Sequence, residues 1–486
     1  MPLGTTITNK VLPTFSGQAT ELGQTFIVVE ADQGPEGPTL IRSIAEWVAT
    51  FGPRSATSQT AYDWVETYFQ LGGRRLYVTR VINTGSKAAE LVLEDATSKP
   101  TLLVEWASKG KAGNGYKIEV KVVSDTASIR LTGAEGEVVE ASPFGTQAEL
   151  IAFYEKRSGF ITVTQSDADE HTSALPKELA ATALTGGENA TDVTDAERIT
   201  TLKLCTAAYG PGSIAVPGRT TEEVHTAVAE LATSTNRRAW LDLADSNVPE
   251  TLIAAKWETP PPLAQRASVA FSSSSCVIAG LAAGTTRKTS GSALLSALAA
   301  QAAATGNMNT ATAGSEWPVS PWVLGFTNTF THAQAEQLVE AGVNVWGEEQ
   351  GELCLVGGSF VTALSKESGA EGEIFWSFAA TGERMALTYE AEPIMASVEN
   401  KRIDGQGHLL AYLQGRLQGL IAEHWKKEAL FGASATEAGS VEVGEPINTP
   451  GAEQDGELSA QLQVRITESV QSSALIIISR PITATV

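Results

Sequence analysis

The chain has 486 residues, 42% hydrophobic and 19% charged, a balance that fits packed globular matter and excludes general disorder, a collagen-like fibre and a coiled coil. At roughly 100 to 200 residues per domain, this length implies about three domains. Lys and Arg total 34 against 56 Asp and Glu, a formal net charge of −22 that would repel a phosphate backbone, so nucleic acid is not an expected partner.

Through about Gly23 the chain carries Pro2, Gly4, Pro13 and Gly17 with no helical spacing of apolar residues, and reads as an extended arm. Met1 to Lys10 lacks a charged-then-apolar leader pattern, and no run approaches 18 apolar residues. The expectation is synthesis in a reducing cytoplasm without membrane insertion. Phe26 to Val29 predicts a strand, followed by the turn-rich Gly34, Pro35, Gly37 and Pro38. Ile41, Ile44, Ala45 and Val48 predict a helix stopped by Gly52-Pro53. Ala61, Trp64, Val65, Tyr68 and Phe69 predict a second, ended by Gly72-Gly73, and Leu76 to Ile82 a strand.

From Gly85 to about Thr185 the texture changes to short strands at Leu102 to Trp106, Tyr116 to Val123 and Ile161 to Thr164, which reads as a β-rich insertion. After Gly186-Gly187 the alternation of strand and helix returns. Strands are expected at Gly212 to Val216, Trp240 to Leu243, Val269 to Phe271 and Cys276 to Ala279, with helices at Thr221 to Ala232, Pro249 to Trp257 and Ser292 to Ala304. Beyond Leu364 come a strand-like Ile374 to Phe378, a long helix somewhere between Met395 and Leu430, and two strands, Ser459 to Ile466 and Ala474 to Ser479. Leu410, Leu413, Leu417, Leu420 and Ile421 form the helix's apolar stripe, while Gly405, Gly407, Gly415 and Gly419 argue against its first half.

The fold class expected is a multidomain α/β (α+β) protein: a discontinuous α/β core, an inserted β-rich domain, and a C-terminal helix-plus-strands domain carrying extended terminal arms. The boundaries are 1–24 for the N-terminal arm, 25–84 and 186–364 for the core, 85–185 for the insertion, 365–470 for the C-terminal domain, and 471–486 for a final strand or arm.

Catalytic signatures do not emerge. Gly284 to Lys288 is reminiscent of a phosphate loop, but Arg287 stands where glycine must precede the lysine, so it reads as a surface turn opening the next helix. No GxSxG, HExxH or post-strand GxGxxG occurs. His408 and His424 lie 16 residues apart on one expected helix, roughly 24 Å, too far to share a metal. Cys205, Cys276 and Cys354 sit among apolar or small residues and read as buried thiols. No enzyme activity, catalytic residue, cofactor or metal is expected.

The termini carry a different signal. Leu475, Ile476, Ile477 and Ile478 form a strand apolar on both faces, either buried in its own sheet or completed by another copy. The N-terminal arm, with Thr6, Ile7, Thr8 and Val11 as pairing residues, can join a neighbour's sheet by strand addition. If arm and receiving sheet lie on different surfaces, the contact is heterologous and builds helical polymers. Between Asn400 and Lys427, Lys401, Arg402, Arg416, Lys426 and Lys427 face only Asp404 and Glu423. This basic locus is either ordinary helix-end charge or a docking face for an acidic partner.

Phe26 to Val29 with Gly34-Pro35 and Gly37-Pro38, then Phe51-Gly52, Tyr62-Asp63, Tyr68-Phe69, Gly72-Gly73 and Leu76 to Val81, resembles the N-terminal block of contractile tail sheath proteins of bacteriophages. Leu184 to Gly187, Gly342 to Asn344, Leu355 to Gly358 and the C-terminal helix with two strands extend the resemblance to the middle and end. It implies stacked rings of this chain forming a helical sheath around a tail tube protein, with baseplate and tail terminator proteins as further partners. It implies contraction that drives the tube through the host envelope, and a place in the virion after assembly in the host cytoplasm. Arms at Met1 to Thr20 and Ala474 to Val486 would weave copies together, and the helix within Leu409 to Leu430, with Arg416, Lys426 and Lys427, would face the tube. The alternatives are the sheath of a related injection system or contractile bacteriocin and, from another class, a cytosolic α/β enzyme with an inserted lid.

Overall fold

The computed structural model describes residues 21–133, 138–140, 143–157, 161–189, 192–356, 360–364, 375–403, 406–445, 447–449 and 457–468. Its described residues fall into two compact units: 26–66 with 76–206, and 21–25 with 67–75 and those from 207 onward.

The first block forms as its apolar spacing predicts. Strand β1 (Thr25–Glu30) is buried almost throughout, which is why its run is continuously apolar, and β2 (Thr39–Ile41) pairs antiparallel with a later strand, β3 below. Helix α1 (Ile44–Phe51) opens on Ser43, whose hydroxyl accepts the Glu46 N–H, and stops at Gly52 with φ of 90°. Helix α2 (Gln59–Gln70) ends at Gly72-Gly73; a Cβ on Gly73 would lie 2.3 Å from the Tyr68 ring, so only glycine lets the chain turn there. Strand β3 (Leu76–Val81) follows, with Tyr77 stacked on Phe26 at 4.9 Å. Arg80 on β3 is buried and donates to the carbonyls of Ala31, Asp32, Gly34 and Lys109. One guanidinium therefore fixes the Gly34-Pro35 turn, and burial lowers its pKa to about 10.

The β-rich stretch closes on itself. Strands β4 (Ala88–Glu94) and β5 (Pro100–Lys109) begin one sheet, and β6 (Lys117–Val123), β7 (Thr126–Thr132) and β8 (Val138–Glu140) most of another. Helix α3 (Gln147–Arg157), absent from the sequence expectation, then covers them with Leu150 and Tyr154, one turn apart on its apolar face. Strand β9 (Ile161–Gln165) completes the order β4-β5-β9, and β10 (Leu179–Ala183) the order β10-β6-β7-β8. Leu102, Val104, Ile118, Val120, Ile129 and Ile161 form the shared core. Helix α4 (Asp195–Leu202) follows, with a reciprocal capping box between Thr194 and Glu197.

The second unit carries the parallel layer. Strand β11 (Gly212–Ala215), helix α5 (Glu222–Ser234) and strand β12 (Arg237–Asp242) make a strand–helix–strand crossover; α6 (Pro249–Ala254) and α7 (Leu263–Arg266) lead to β13 (Val269–Ser272). β11, β12 and β13 pair parallel in order. Strands β14 (Cys276–Ala279) and β15 (Thr286–Thr289) form a hairpin, so the Gly284 to Lys288 segment runs into a strand rather than opening the next helix. Helix α8 (Ser292–Thr305) is buried from Ser292 to Ala303, which its Ala/Leu composition on all sides permits. β16 (Val323–Phe326) joins β14, α9 (His332–Glu340) leads to β17 (Val343–Asn344) beside β13, and β18 (Trp346–Glu349) with β19 (Glu352–Leu355) forms a second hairpin.

Beyond Leu364 the sequence expectation needs correcting. Phe378 begins a helix, α10 (Phe378–Ala396), where a strand was expected at Ile374 to Phe378; of that stretch, Ser377 forms only an isolated bridge to Val361. The aromatic residues Phe375, Trp376 and Phe378 mimic strand composition, and Pro393 disguises the helix that follows. Helix α11 (His408–Lys426) is separate and runs through both Gly415 and Gly419, with Gly407 at its N-cap. Helix α12 (Ala435–Ala438), β20 (Gly439–Glu442) and β21 (Gln461–Val464) complete the described chain.

Candidate assembly surface

Where a parallel α/β layer would hold an anion, beyond the strand carboxyl ends at a helix N-terminus, this chain places its own carboxylate. Asp242, buried at the end of β12, accepts the Ser292 N–H at 2.8 Å, the Ser292 hydroxyl at 2.7 Å and the Gly218 N–H at 3.0 Å. Burial raises its pKa and these hydrogen bonds oppose the rise. His225 packs beside it, Nε2 3.1 Å from the Asp242 carbonyl, with a pKa lowered by burial that favours the neutral ring. Lys288 sits on β15, 3.6 Å from Asp245. Cys205, Cys276 and Cys354 are buried; burial pushes the Cys354 thiol up to about 11 and Cys276 higher still. Among the described residues no group of three or more His, Cys, Asp or Glu side chains could hold a metal ion. No helix among them is long and apolar enough to cross a membrane.

The C-terminal elements are built differently. Leu409, Leu413, Leu417, Leu420 and Ile421 put one face of α11 against Leu387 and Ile394 of α10 and against Val441 of β20; Leu410, expected in this stripe, is only partly buried. At the far end His424, 3% exposed, sits between two carboxylates of α10: Nδ1 meets Glu383 and Nε2 lies 3.1 Å from Glu390. Both ring nitrogens face acceptors, so the imidazolium is the species that fits. Burial alone would lower its pKa, but the Glu383 and Glu390 hydrogen bonds overcome that and raise it to about 9. This ion pair joins residues 41 positions apart, and no local pattern in the sequence announced it.

The hairpin of β20 and β21 packs on α11. Gly439 extends directly beside the helix; a Cβ there would lie 2.7 Å from the Gln463 carbonyl and 3.3 Å from Ile421. Asn448 ties the long connection together, donating to the carbonyls of Val443 and Ser459 and accepting the Ser459 N–H. Asn309 donates to the carbonyls of Ala429 and Thr467, anchoring the base of the hairpin to the loop after α8.

Arg416, Lys426 and Lys427 are all exposed on or at the end of α11. They do not form one patch, because ten residues of helix separate Arg416 from Lys426 by about 15 Å and about 80°. Arg416 borders an open groove of about 880 Å³ with Tyr389, Glu390, Glu392, Gly419 and Glu423, so its surroundings are acidic on balance. Lys427 lends part of its charge inward, helping His424 hold the Glu390 pKa down. The pairing residues Thr6, Ile7, Thr8 and Val11, and Leu475, Ile476, Ile477 and Ile478, lie outside the described residues.

No family model matches the sequence, and no curated protein matches it either. Solved structures do resemble it over most of its length. The sheath tail protein of Listeria innocua aligns with a TM-score of 0.62 at 14% identity, over 93% of this chain and 96% of its own. The sheath tail protein of Desulfitobacterium hafniense aligns at 0.57 and 14% identity, over 90% and 93%. The sheath complex of an extracellular contractile injection system (PVC), in its contracted state, aligns at 0.56 and 10% identity, over 98% and 97%. The chain carries the fold of the tail sheath proteins.

Proposed function

We propose that this protein is the structural subunit of a contractile tail sheath: copies stack as rings into a helical tube around an inner tail tube, and the tube shortens to drive that inner tube through a cell envelope. The observation that carries this reading is the sheath-like fold across nearly the whole chain, including its C-terminal elements. The occupied helix N-terminus at Asp242 favours a non-enzymatic role over the α/β enzyme alternative. Energy for contraction is stored at assembly, as a population shift between two packings of the same subunits, so no nucleotide is required.

The terminal arms join neighbouring copies by strand addition, with Thr6, Ile7, Thr8 and Val11 in one arm and Leu475 to Ile478 in the other. The exposed Arg416, Lys426 and Lys427 of α11 face the tube, and baseplate and tail terminator proteins bound the polymer. A phage tail is the primary setting. The sheath of a contractile injection system is the second, favoured by the 98% coverage of this chain in the injection-system comparison. Purified full-length protein should form tubular polymers by negative-stain electron microscopy, and a chain lacking residues 1–20 should remain unpolymerised with its subunit fold intact. Equal polymerisation of both would refute the role of the arm.

A further inference from the structure

Buried arginines elsewhere in the chain meet acceptors. Arg80 donates to four carbonyls, Arg198 to the Glu30 and Asp195 carboxylates, and Arg237 to the Gly210 carbonyl. Arg238, the next residue on β12, does not. Its side chain is fully buried, and Nε, Nη1 and Nη2 all lack a hydrogen-bond partner among the described residues. A guanidinium carries five N–H donors and accepts nothing, so what it lacks is acceptors. The rings of Trp240 and Phe378 lie 5.5 Å and 5.1 Å from Cζ; their faces attract the charge, but such contacts leave the N–H bonds unmade. Burial alone lowers the group's pKa, to about 9, so it stays a cation at neutral pH.

Further donors gather at the same place. Phe378 opens α10, and Gly382, one turn on, brings the helix so close that a Cβ there would lie 2.7 Å from Arg238 Nη1. No side chain caps this helix. The Phe378 N–H reaches the Phe360 carbonyl and the Thr381 N–H that of Ser377, but the N–H groups of Ala379 and Ala380 meet no acceptor among the described residues, and both residues are buried. A buried helix start normally finds partners for these groups. The indole Nε1 of Trp240, whose ring packs 4.4 Å from that of Phe378, is likewise buried and unpartnered. A full positive charge, the positive end of a helix dipole and several N–H donors therefore meet here, with no carboxylate hydrogen-bonded to any of them. At the opposite end of β12, Asp242 supplies the anion at the start of α8; at this end the described chain supplies none.

We propose that Arg238 and the first turn of α10 form a binding site for a small inorganic monoanion of the halide class, such as chloride, which ties β12 to α10. One buried positive charge calls for one negative charge, and a side chain enclosed by protein on every side admits an ion rather than the head of a larger ligand. A halide also accepts N–H bonds from several directions without a preferred plane, which suits donors that come from a guanidinium and a helix end together. The site stands apart from the assembly reading and does not depend on it.

Thermal unfolding of the full-length protein tests the proposal, with sodium chloride exchanged for sodium gluconate at constant ionic strength. A ligand that binds only the folded state stabilises it by mass action, so Tm should rise by roughly 1–3 °C between about 1 and 300 mM chloride. Bromide should substitute for chloride. Arg238→Met keeps most of the side chain's length and removes the unmatched charge; it should be at least as stable as the native protein in gluconate and show no chloride response. Crystals of the native protein soaked in bromide give a second reading that does not depend on the variant folding: an anomalous peak within hydrogen-bond distance of Arg238. A Tm independent of halide, the result expected if water or a carboxylate of the chain itself met the guanidinium, overturns the proposal. So does an equal chloride response in Arg238→Met, and so does a bromide map with no peak at Arg238.

Discussion

The β-rich stretch between residues 88 and 183 and the C-terminal hairpin with its two long helices answer the same problem, hiding one apolar face of a sheet, in opposite ways. In the former, sheets of three and four strands and helix α3 share a core in which Ile118, Val120, Ile129 and Ile161 are fully buried. In the latter, a two-stranded sheet leaves its outer strand half covered and relies on α11 for the rest. Two strands alone are marginal in water, so this part of the chain is finished by contacts from outside or remains weak. On the proposed reading, the part that joins copies is the one left with an incomplete edge.

The sharpest contrast concerns the buried charge. Glu383→Ala leaves His424 with Glu390 as its remaining carboxylate and should cost about 1.5–3 kcal/mol in urea unfolding, the loss of one charge-assisted hydrogen bond to a buried imidazolium. The folded pKa of about 9 lies above the unfolded value near 6.5, so this pair's contribution is complete below pH 6.5 and is lost as pH rises through 9. Stability should therefore fall over that alkaline interval, and His424→Asn should flatten the fall; an unchanged profile contradicts the imidazolium. In the closed region, Ile118→Ala should cost about 2–5 kcal/mol by cavity formation while leaving polymer formation intact, as read by sedimentation. Loss of polymer at matched folding would place that region in the assembly interface. The smallest effect belongs to Gly419→Ala. A Cβ there meets nothing within 4 Å, so the isolated subunit should gain about 0.5–1 kcal/mol. A polymerisation defect in that stabilised variant would mark the face of α11 as packed against another molecule.

The parts legible in the sequence were those where a local pattern decides the structure. Strand β1, helices α1 and α2, and strand β3 follow from a continuous apolar run, helical spacing and glycine stops. Helix α10 was hidden by neighbouring aromatic residues and Pro393, and α3 by the short span of its apolar contacts. Gly415 and Gly419, with Gly405 and Gly407, argued against the first half of the expected helix, yet tertiary burial of Leu413, Leu417 and Ile421 carries it from His408 through both Gly415 and Gly419. The functional features were less visible still. Arg80 reads as an ordinary strand residue until the carbonyls of Ala31, Gly34 and Lys109 converge on it, and His424 shows no tie to Glu383 across 41 positions. No sequence pattern singles out Gln414 and Gln418, whose amides reach the Val441 and Gly439 carbonyls only once β20 is laid beside α11. Arg416, Lys426 and Lys427 were recognisable as exposed base-bearing positions, yet composition did not separate Arg416 from the acidic groove beside it.

A cryo-electron microscopy reconstruction of tubes grown from the purified protein bears on all of this at once. The expected map shows the terminal arms of each copy running into neighbouring copies as added strands of a helical tube. A map in which both arms fold back onto their own subunit and copies touch only through rigid faces would contradict the account, as would a protein that forms no tube at all.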